Sequence, residues 1–313
     1  MSNSRRKSKQ SMATYTTVYE DECQWPIHTR DSFLHQAAYV GHIRKVQEYL
    51  RDKKNLKNIN SKNRLGCTPL RLAATKGHVN CIECLLNHGA SVDIADMKAQ
   101  TPLFMAVQNA HTECVKVLLE AGADPNGNSD HLCSPLYMAV MIGALECLQE
   151  LVKYGADVNF SQITTSSFSS TPLYISFVYR RLDCFKWLLR SGADPNAGMS
   201  GCIPHPSVIT PSLFNAAVKR RNKVWIDILV EFDTDLDLND ENLRQLYNHH
   251  ENEAEFMEYL QSLIYTPRSL QSQARIVIRR CMVNHLNEID KLPLPSGLKN
   301  YVQHQENNNV QID

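Results

Sequence analysis

Neither sign of charge is in excess in this sequence: Lys and Arg together number 33, and so do Asp and Glu. With no global field to draw in a polyanion, neither nucleic acid nor an anionic membrane is expected as a partner. Nowhere do about 18 predominantly apolar residues run together, as a membrane-spanning helix needs. The first residues also lack the apolar core of a signal peptide. A soluble intracellular protein is therefore expected, cytoplasmic with room for a nuclear pool. Missing too are a Gly-rich phosphate loop, a Ser nucleophile elbow and a His/Cys/Asp ligand set standing apart from the repeat pattern, so no cofactor, metal or catalytic residue is expected.

Cysteine, by contrast, is plentiful at 10 residues. In a small secreted chain that count reads as a disulfide framework, whereas 313 residues without a leader favour reduced thiols. Cys81 and Cys84 form a CxxC, but metal or redox chemistry needs further ligands or a thioredoxin-like setting, and neither is visible. At the N-terminus Arg5, Arg6, Lys7 and Lys9 lie among Ser and Gln without apolar periodicity. A solvated, disordered arm over residues 1–29 is the preferred reading, with a basic targeting signal as its alternative.

An internal period organises what remains. Thr68-Pro69-Leu70, Thr101-Pro102-Leu103 and Ser134-Pro135-Leu136 recur every 33 residues, and Thr171-Pro172-Leu173 adds a fourth copy. Each opens a short apolar segment, then a turn, a second apolar segment and a closing Gly-Ala at Gly89, Gly122, Gly155 and Gly192. Proline at the first helical position gives up an N–H that would lack a partner anyway, and glycine suits the left-handed cap that stops a helix. Weaker copies flank these four, at Ser32-Phe33-Leu34 and Pro211-Ser212-Leu213. The pattern resembles the ankyrin repeat, which implies an all-α solenoid of about six repeats over residues 30–238. One helix pair cannot bury its own apolar face, so neighbours must stack. Cys81, Cys114, Cys147 and Cys184 then fall in one column of the second helix and read as small buried hydrophobes. Cys67 and Cys133 share a second column. His42, His78 and His111 stand at the starts of second helices, where ankyrin repeats commonly carry Gly-His.

The period breaks twice. The step from Ser134 to Thr171 is 37 and that from Thr171 to Pro211 is 40, so residues have been inserted after the closings at Asn159 and Asn196. Insertions on one face of a solenoid often belong to its binding surface. The groove positions of the first helices are polar in two repeats, Thr75-Lys76 and Gln108-Asn109, and apolar in the next two, Met141-Ile142 and Val178-Tyr179. Two readings stay open: these four residues form a partner surface for an unidentified protein substrate, or the inserted segments fold back over them.

After the last repeat, Phe256, Tyr259, Leu260 and Leu263 recur at helical spacing, so a helix is expected over Glu253–Tyr265 in a linker of residues 239–265. Pro267 ends it. Beyond, Leu270, Ala274 and Ile278 share one helix face, and Leu292-Pro293-Leu294-Pro295 follows. Alone, the first stripe would suit any amphipathic helix; the two together, in this order and after such repeats, resemble a SOCS box over residues 266–303, with a tail over 304–313. Segments Cys67–Arg71, Leu118–Gly127 and Thr266–Leu270 strengthen the similarity to the ankyrin repeat and SOCS box family. That resemblance implies a small three-helix module binding elongin B and elongin C, with Leu270, Ala274 and Ile278 on elongin C. It further implies docking of cullin-5 with its RING partner through Leu292, Pro293, Leu294 and Pro295. Ala274 departs from the family's usual Cys but stays small and apolar. The resemblance thus implies a non-catalytic substrate receptor of a ubiquitin ligase; the alternative is an ankyrin scaffold whose C-terminal helices merely cap the array.

Overall fold

Six helix pairs follow one another along the chain. They are α1 Phe33–Val40 with α2 Ile43–Arg51, α3 Pro69–Lys76 with α4 Val79–Asn87, and α5 Pro102–Gln108 with α6 Thr112–Glu120. Next come α7 Pro135–Ile142 with α8 Leu145–Lys153, α9 Pro172–Val178 with α10 Leu182–Arg190, and α11 Leu213–Lys219 with α12 Lys223–Glu231. A further α-helix, α13, spans Glu253–Tyr265. The computed structural model describes residues 32–160, 162–163, 168–196, 200–201, 212–232, 234, 253–265, 273, 277–278 and 299. The N-terminal arm, the C-terminal tail and most of residues 266–303 lie outside that set.

Helices of seven to nine residues are too short to persist alone, so their ends and their neighbours must hold them. Every first helix starts the same way. The hydroxyls of Ser32, Thr68, Thr101, Ser134, Thr171 and Ser212 accept from the backbone N–H three residues on, and four of the six have proline next. Such a cap contributes about 1 kcal/mol, which is the physical content of the recurring Thr-Pro.

Three of the turns between paired helices are held by a side chain of the following repeat. His78 Nε2 lies 3.0 Å from the Tyr39 carbonyl, His111 Nε2 lies 3.3 Å from that of Thr75, and Arg181 donates to that of Met141. A carbonyl can only accept, so both imidazoles present an N–H here. These side chains lie across the turn beneath them, where a Cβ at Gly41 would stand 2.6 Å from His78 and one at Gly77 2.8 Å from His111. A Cβ at Gly143 would likewise crowd Arg181. Where the overlying position is Ala144 or Asn222, the turn residue carries a side chain: Ala110 at φ 55° and Arg180 at φ 56°. Arg221, in the last repeat's turn, adopts φ 50°. A left-handed non-glycine residue costs roughly 1–2 kcal/mol, so the two arginines hold their turns at a price in strain.

A second set of ties runs along the loops that precede the first helices. Asn60 accepts from the Ser91 N–H, Asp93 from Asp124, Asn126 from Asp157 and Asn159 from Asp194. Within each closing Asp-x-Asn, the aspartate takes the asparagine N–H. The Gly-Ala-Asp-x-Asn motif is thus a turn followed by a hook. Arg71 reaches one repeat forward, pairing with Asp96 at 2.5 Å and donating to Gln100.

The core is one continuous cluster. Leu85, Leu118, Leu151 and Leu188 form a fully buried column, beside Cys81, Cys114, Cys147 and Cys184, all buried. Trp225 fills the space between the fifth and sixth repeats, edge-on to Phe177 at 5.1 Å and Phe185 at 4.5 Å.

The inserted segments meet each other. Gln162–Ile163, Phe168–Ser170 and Ser200–Gly201 form a small antiparallel sheet in chain order, with Gln162 opposite Ser170 and Phe168 opposite Gly201. Two insertions that follow different repeats therefore join into one element on an otherwise helical array. At the far end, α13 closes the solenoid. Its Leu260 is buried in the common core, the Tyr259 hydroxyl donates to Asp227 at 2.5 Å, and Lys223 pairs with Glu255. Burial, then the bond to Asp227, pushes the Tyr259 phenol up. The expected linker helix thus also serves as a cap on α12.

Two outcomes follow from these ties. Gly77→Ala should destabilise by about 2 kcal/mol through the left-handed backbone and the crowded His111. Adding His111→Ala should restore about 1 kcal/mol of that in urea unfolding, because Ala110 beneath Ala144 shows the small pair to be tolerated. Asp93 stands where four other repeats carry asparagine; burial raises its carboxyl above the ordinary range, the Asp124 N–H opposes this, and the Asp124 charge adds to it. A carboxyl raised in the folded state binds its proton more tightly there than in the unfolded chain. Its penalty therefore grows as pH rises from the unfolded value through the folded one. Asp93→Asn should stabilise at neutral pH and lose that advantage in acid, as melting temperatures at pH 7 and pH 3.5 will show.

Candidate protein-interaction site

The groove residues singled out from the sequence lie on neighbouring first helices, but they do not share one environment. Met141 and Ile142 end α7 half-buried and pack against the common core. Val178 ends α9 and is half-buried, while Tyr179, the residue that caps α9, is 43% exposed. Packing against the common core, which is neither of the two readings left open, therefore accounts for part of Met141 and Ile142. Tyr179 presents a large ring that the described residues leave in solvent. These residues stand at the turn end of their helices, whereas the inserted sheet precedes the helix starts. Seven to eight residues of helix separate the two, about 12 Å at 1.5 Å per residue.

The finger edge carries an apolar row that the repeat register hides. Leu65, Met97, Leu132 and Phe160 are exposed in the loops of successive repeats, Met97 most of all at 77%. Met97 N–H donates to the Leu65 carbonyl, which sets these two loops side by side. Their signal in the sequence is only an apolar residue among polar loop neighbours, too weak to separate from chance.

The thiols behave as packing groups. Burial pushes Cys114 up to about 11 and Cys133 up to about 12, and it also raises Cys81, Cys84, Cys147 and Cys184. A thiol raised in this way stays protonated at pH 7 and is a poor nucleophile or metal ligand. Among the described residues no group of three or more His, Cys, Asp or Glu side chains is arranged to hold a metal, and no helix is long and apolar enough to cross a membrane.

Of the C-terminal positions, Ile278 is helical and half-buried, next to exposed Val277. Leu270, Ala274, Leu292, Pro293, Leu294 and Pro295 lie outside the described residues.

A stack of capped helix pairs with paired loop insertions and a groove-end aromatic defines a helical repeat solenoid. Comparison with known families gives that class its family. The ankyrin-repeat profile matches residues 34–129 and 127–199, and the SOCS box profile matches residues 266–303. The chain belongs to the ankyrin repeat and SOCS box family. Ankyrin repeat and SOCS box protein 1 of mouse is 42% identical over 87 residues, and the human protein of that name is 41% identical. Human ankyrin repeat and SOCS box protein 12 is 45% identical over 69 residues. The matched stretches span only 26% and 22% of those relatives' lengths and 26% and 21% of this chain. The crystal structure of the human ASB11 ankyrin repeat domain superposes with a TM-score of 0.54 at 26% identity, over 80% of this chain and 98% of that one.

Tyr179→Ala should leave the melting temperature within about 2 °C, as a surface change does, while protein partners labelled by a proximity tag on the chain are lost. Met141→Ser should lower the melting temperature, because its side chain is half-buried. Labelling unchanged by Tyr179→Ala would remove the tyrosine from the interaction site.

Proposed function

We propose that the chain is the substrate-recognition subunit of an elongin B/C, cullin-5 and RING ubiquitin ligase, and that it performs no bond chemistry itself. The observation that carries this reading is the order of modules: an ankyrin array followed by a SOCS box match at residues 266–303. In this reading Leu270, Ala274 and Ile278 contact elongin C, and Leu292, Pro293, Leu294 and Pro295 contact cullin-5. The array holds a target protein at the groove end marked by Met141, Ile142, Val178 and Tyr179.

The mechanism is positional. A lysine of the bound target, held near the ubiquitin thioester that the RING partner recruits, reacts at high effective concentration, so the transfer becomes nearly unimolecular. Short capped helices tied turn to turn form a stiff frame, and stiffness preserves that concentration. Leu270 is the anchor, since full burial of a leucine contributes roughly 1.5–3 kcal/mol. Pro293 and Pro295 present a surface with little conformational freedom left to lose.

Leu270→Asp should abolish co-purification with elongins B and C, because a carboxylate buried there without a partner costs several kcal/mol. The repeats should keep their melting temperature. Pro293→Ala with Pro295→Ala should weaken cullin-5 recruitment while elongin binding persists. Wild-type elongin yield from the Leu270→Asp chain would defeat the assignment and favour a scaffold without a ligase role.

A further inference from the structure

We infer that the turn edge of the fifth and sixth repeats, formed by Arg180, Arg181, Lys219, Arg220 and Arg221 beside Tyr179, is a binding site for an acidic segment of a protein partner. The inference rests on the reading of the array as a target holder and names the chemistry of the target.

Three observations carry it. The first is local charge. The chain as a whole is balanced at 33 against 33, and the corresponding turns of the first four repeats carry one Lys or Arg, Lys76, between them. Two adjacent turns at the C-terminal end carry five, all exposed. Their adjacency is set by contact, since Arg220 donates to the Phe177 carbonyl at 3.3 Å and lies over the Phe177 ring at 4.5 Å.

The second is backbone conformation. Glycine holds the turn in the first, second and fourth repeats, and alanine in the third. Arg180 and Arg221 adopt the same left-handed conformation at φ 56° and 50°, against the preference of any residue with a Cβ. The Arg180 turn lies beneath Asn222 and not beneath a histidine or arginine, so glycine would serve that turn better. Strain kept where a relaxed residue would fit marks a side chain wanted for itself.

The third is preorganisation. Arg181 and Arg220 each spend a donor on a backbone carbonyl of the preceding repeat, which fixes their direction. A guanidinium has five N–H donors, and both residues remain exposed, so each can still take a carboxylate in a fork. The exposed ring of Tyr179 and half-buried Ile142 border the cations. Acidic side chains interleaved with an apolar residue suit that mixture, whereas a regular phosphate backbone would leave the apolar part unused.

The test uses the full chain and a twelve-residue peptide alternating Glu and Asp with Leu and Phe. Its Gln/Asn counterpart and a single-stranded oligonucleotide of equal charge serve as comparisons. The acidic peptide should bind at least tenfold more tightly than the neutral one at 50 mM salt, with the difference collapsing at 500 mM. Arg180→Gly should weaken acidic-peptide binding about threefold and yet raise the melting temperature by about 2 °C as the turn relaxes. The remote charge reversal Lys57→Glu should change neither. Wild-type binding by the Arg180→Gly variant, a fall in its melting temperature, or tighter binding of the oligonucleotide than of the peptide would each overturn the inference. Leu270→Asp should leave peptide affinity unchanged. Peptide binding by a wild-type chain that fails to co-purify with elongins would defeat the ligase reading and uphold this one.

Discussion

A single repeat of this chain is two helices of seven to nine residues and has no stability of its own. What makes it hold is the side chain that the next repeat lays across its turn. His78 over Gly41, His111 over Gly77 and Arg181 over Gly143 each close one repeat while belonging to another. The glycines are needed twice over, for a positive φ and for the absence of a Cβ. The exception at Ala110, where Ala144 lies above, shows that the space and the overlying side chain are matched to each other. Stability is then a property of interfaces between repeats, and it propagates along the array rather than residing in any one copy.

That constraint explains why so much was legible in the residues. A period of 33 set the register, the register put four cysteines in one column, and burial of all four follows from it. The Thr-Pro openings announced their caps, and the Gly-Ala-Asp-x-Asn closings announced their turns. The hook from Asn126 to Asp157 was not legible, because it joins residues 31 apart through a backbone N–H that no pattern of side chains reveals. Nor was the pairing of Phe168 with Gly201, since each insertion alone reads as a Ser/Thr-rich or Pro-containing loop. Periodicity alone placed α13, but its use as a cap depends on Asp227 and Lys223, which the sequence keeps more than thirty residues away from Tyr259 and Glu255.

The candidate site was legible to a different degree. Alternation of polar and apolar groove pairs pointed to Met141, Ile142, Val178 and Tyr179, yet hydropathy cannot distinguish a side chain half-buried in the core from one that faces solvent. Only Tyr179 stands out, because it caps its helix and so projects beyond the packed layer. The apolar finger residues Leu65, Met97, Leu132 and Phe160 escaped for the opposite reason. Single exposed apolar residues are common on any surface, and only their placement on neighbouring loops makes them a row.

Departures from the regular repeat are not spread evenly. The second and third repeats follow the pattern of caps, turn glycine or alanine, and polar groove, and their role is to supply a stiff frame. In the fourth and fifth repeats the groove turns apolar and each repeat is followed by an insertion, the two joining in one sheet, while the turns of the fifth and sixth repeats carry a left-handed arginine in place of glycine. Arg180 holds a strained turn that glycine would relax, and in the proposed site its compensation lies outside the fold, in whatever the surface meets. In the proposed ligase this half of the array is also the half that leads into the SOCS box match. A target held there is tethered through the fewest intervening repeats, each of which would add its own small flexibility. The effective concentration of a target lysine at the ubiquitin thioester falls as that flexibility accumulates. A recognition surface placed late in the array therefore delivers more of its binding energy as productive geometry than the same surface placed on the first repeats.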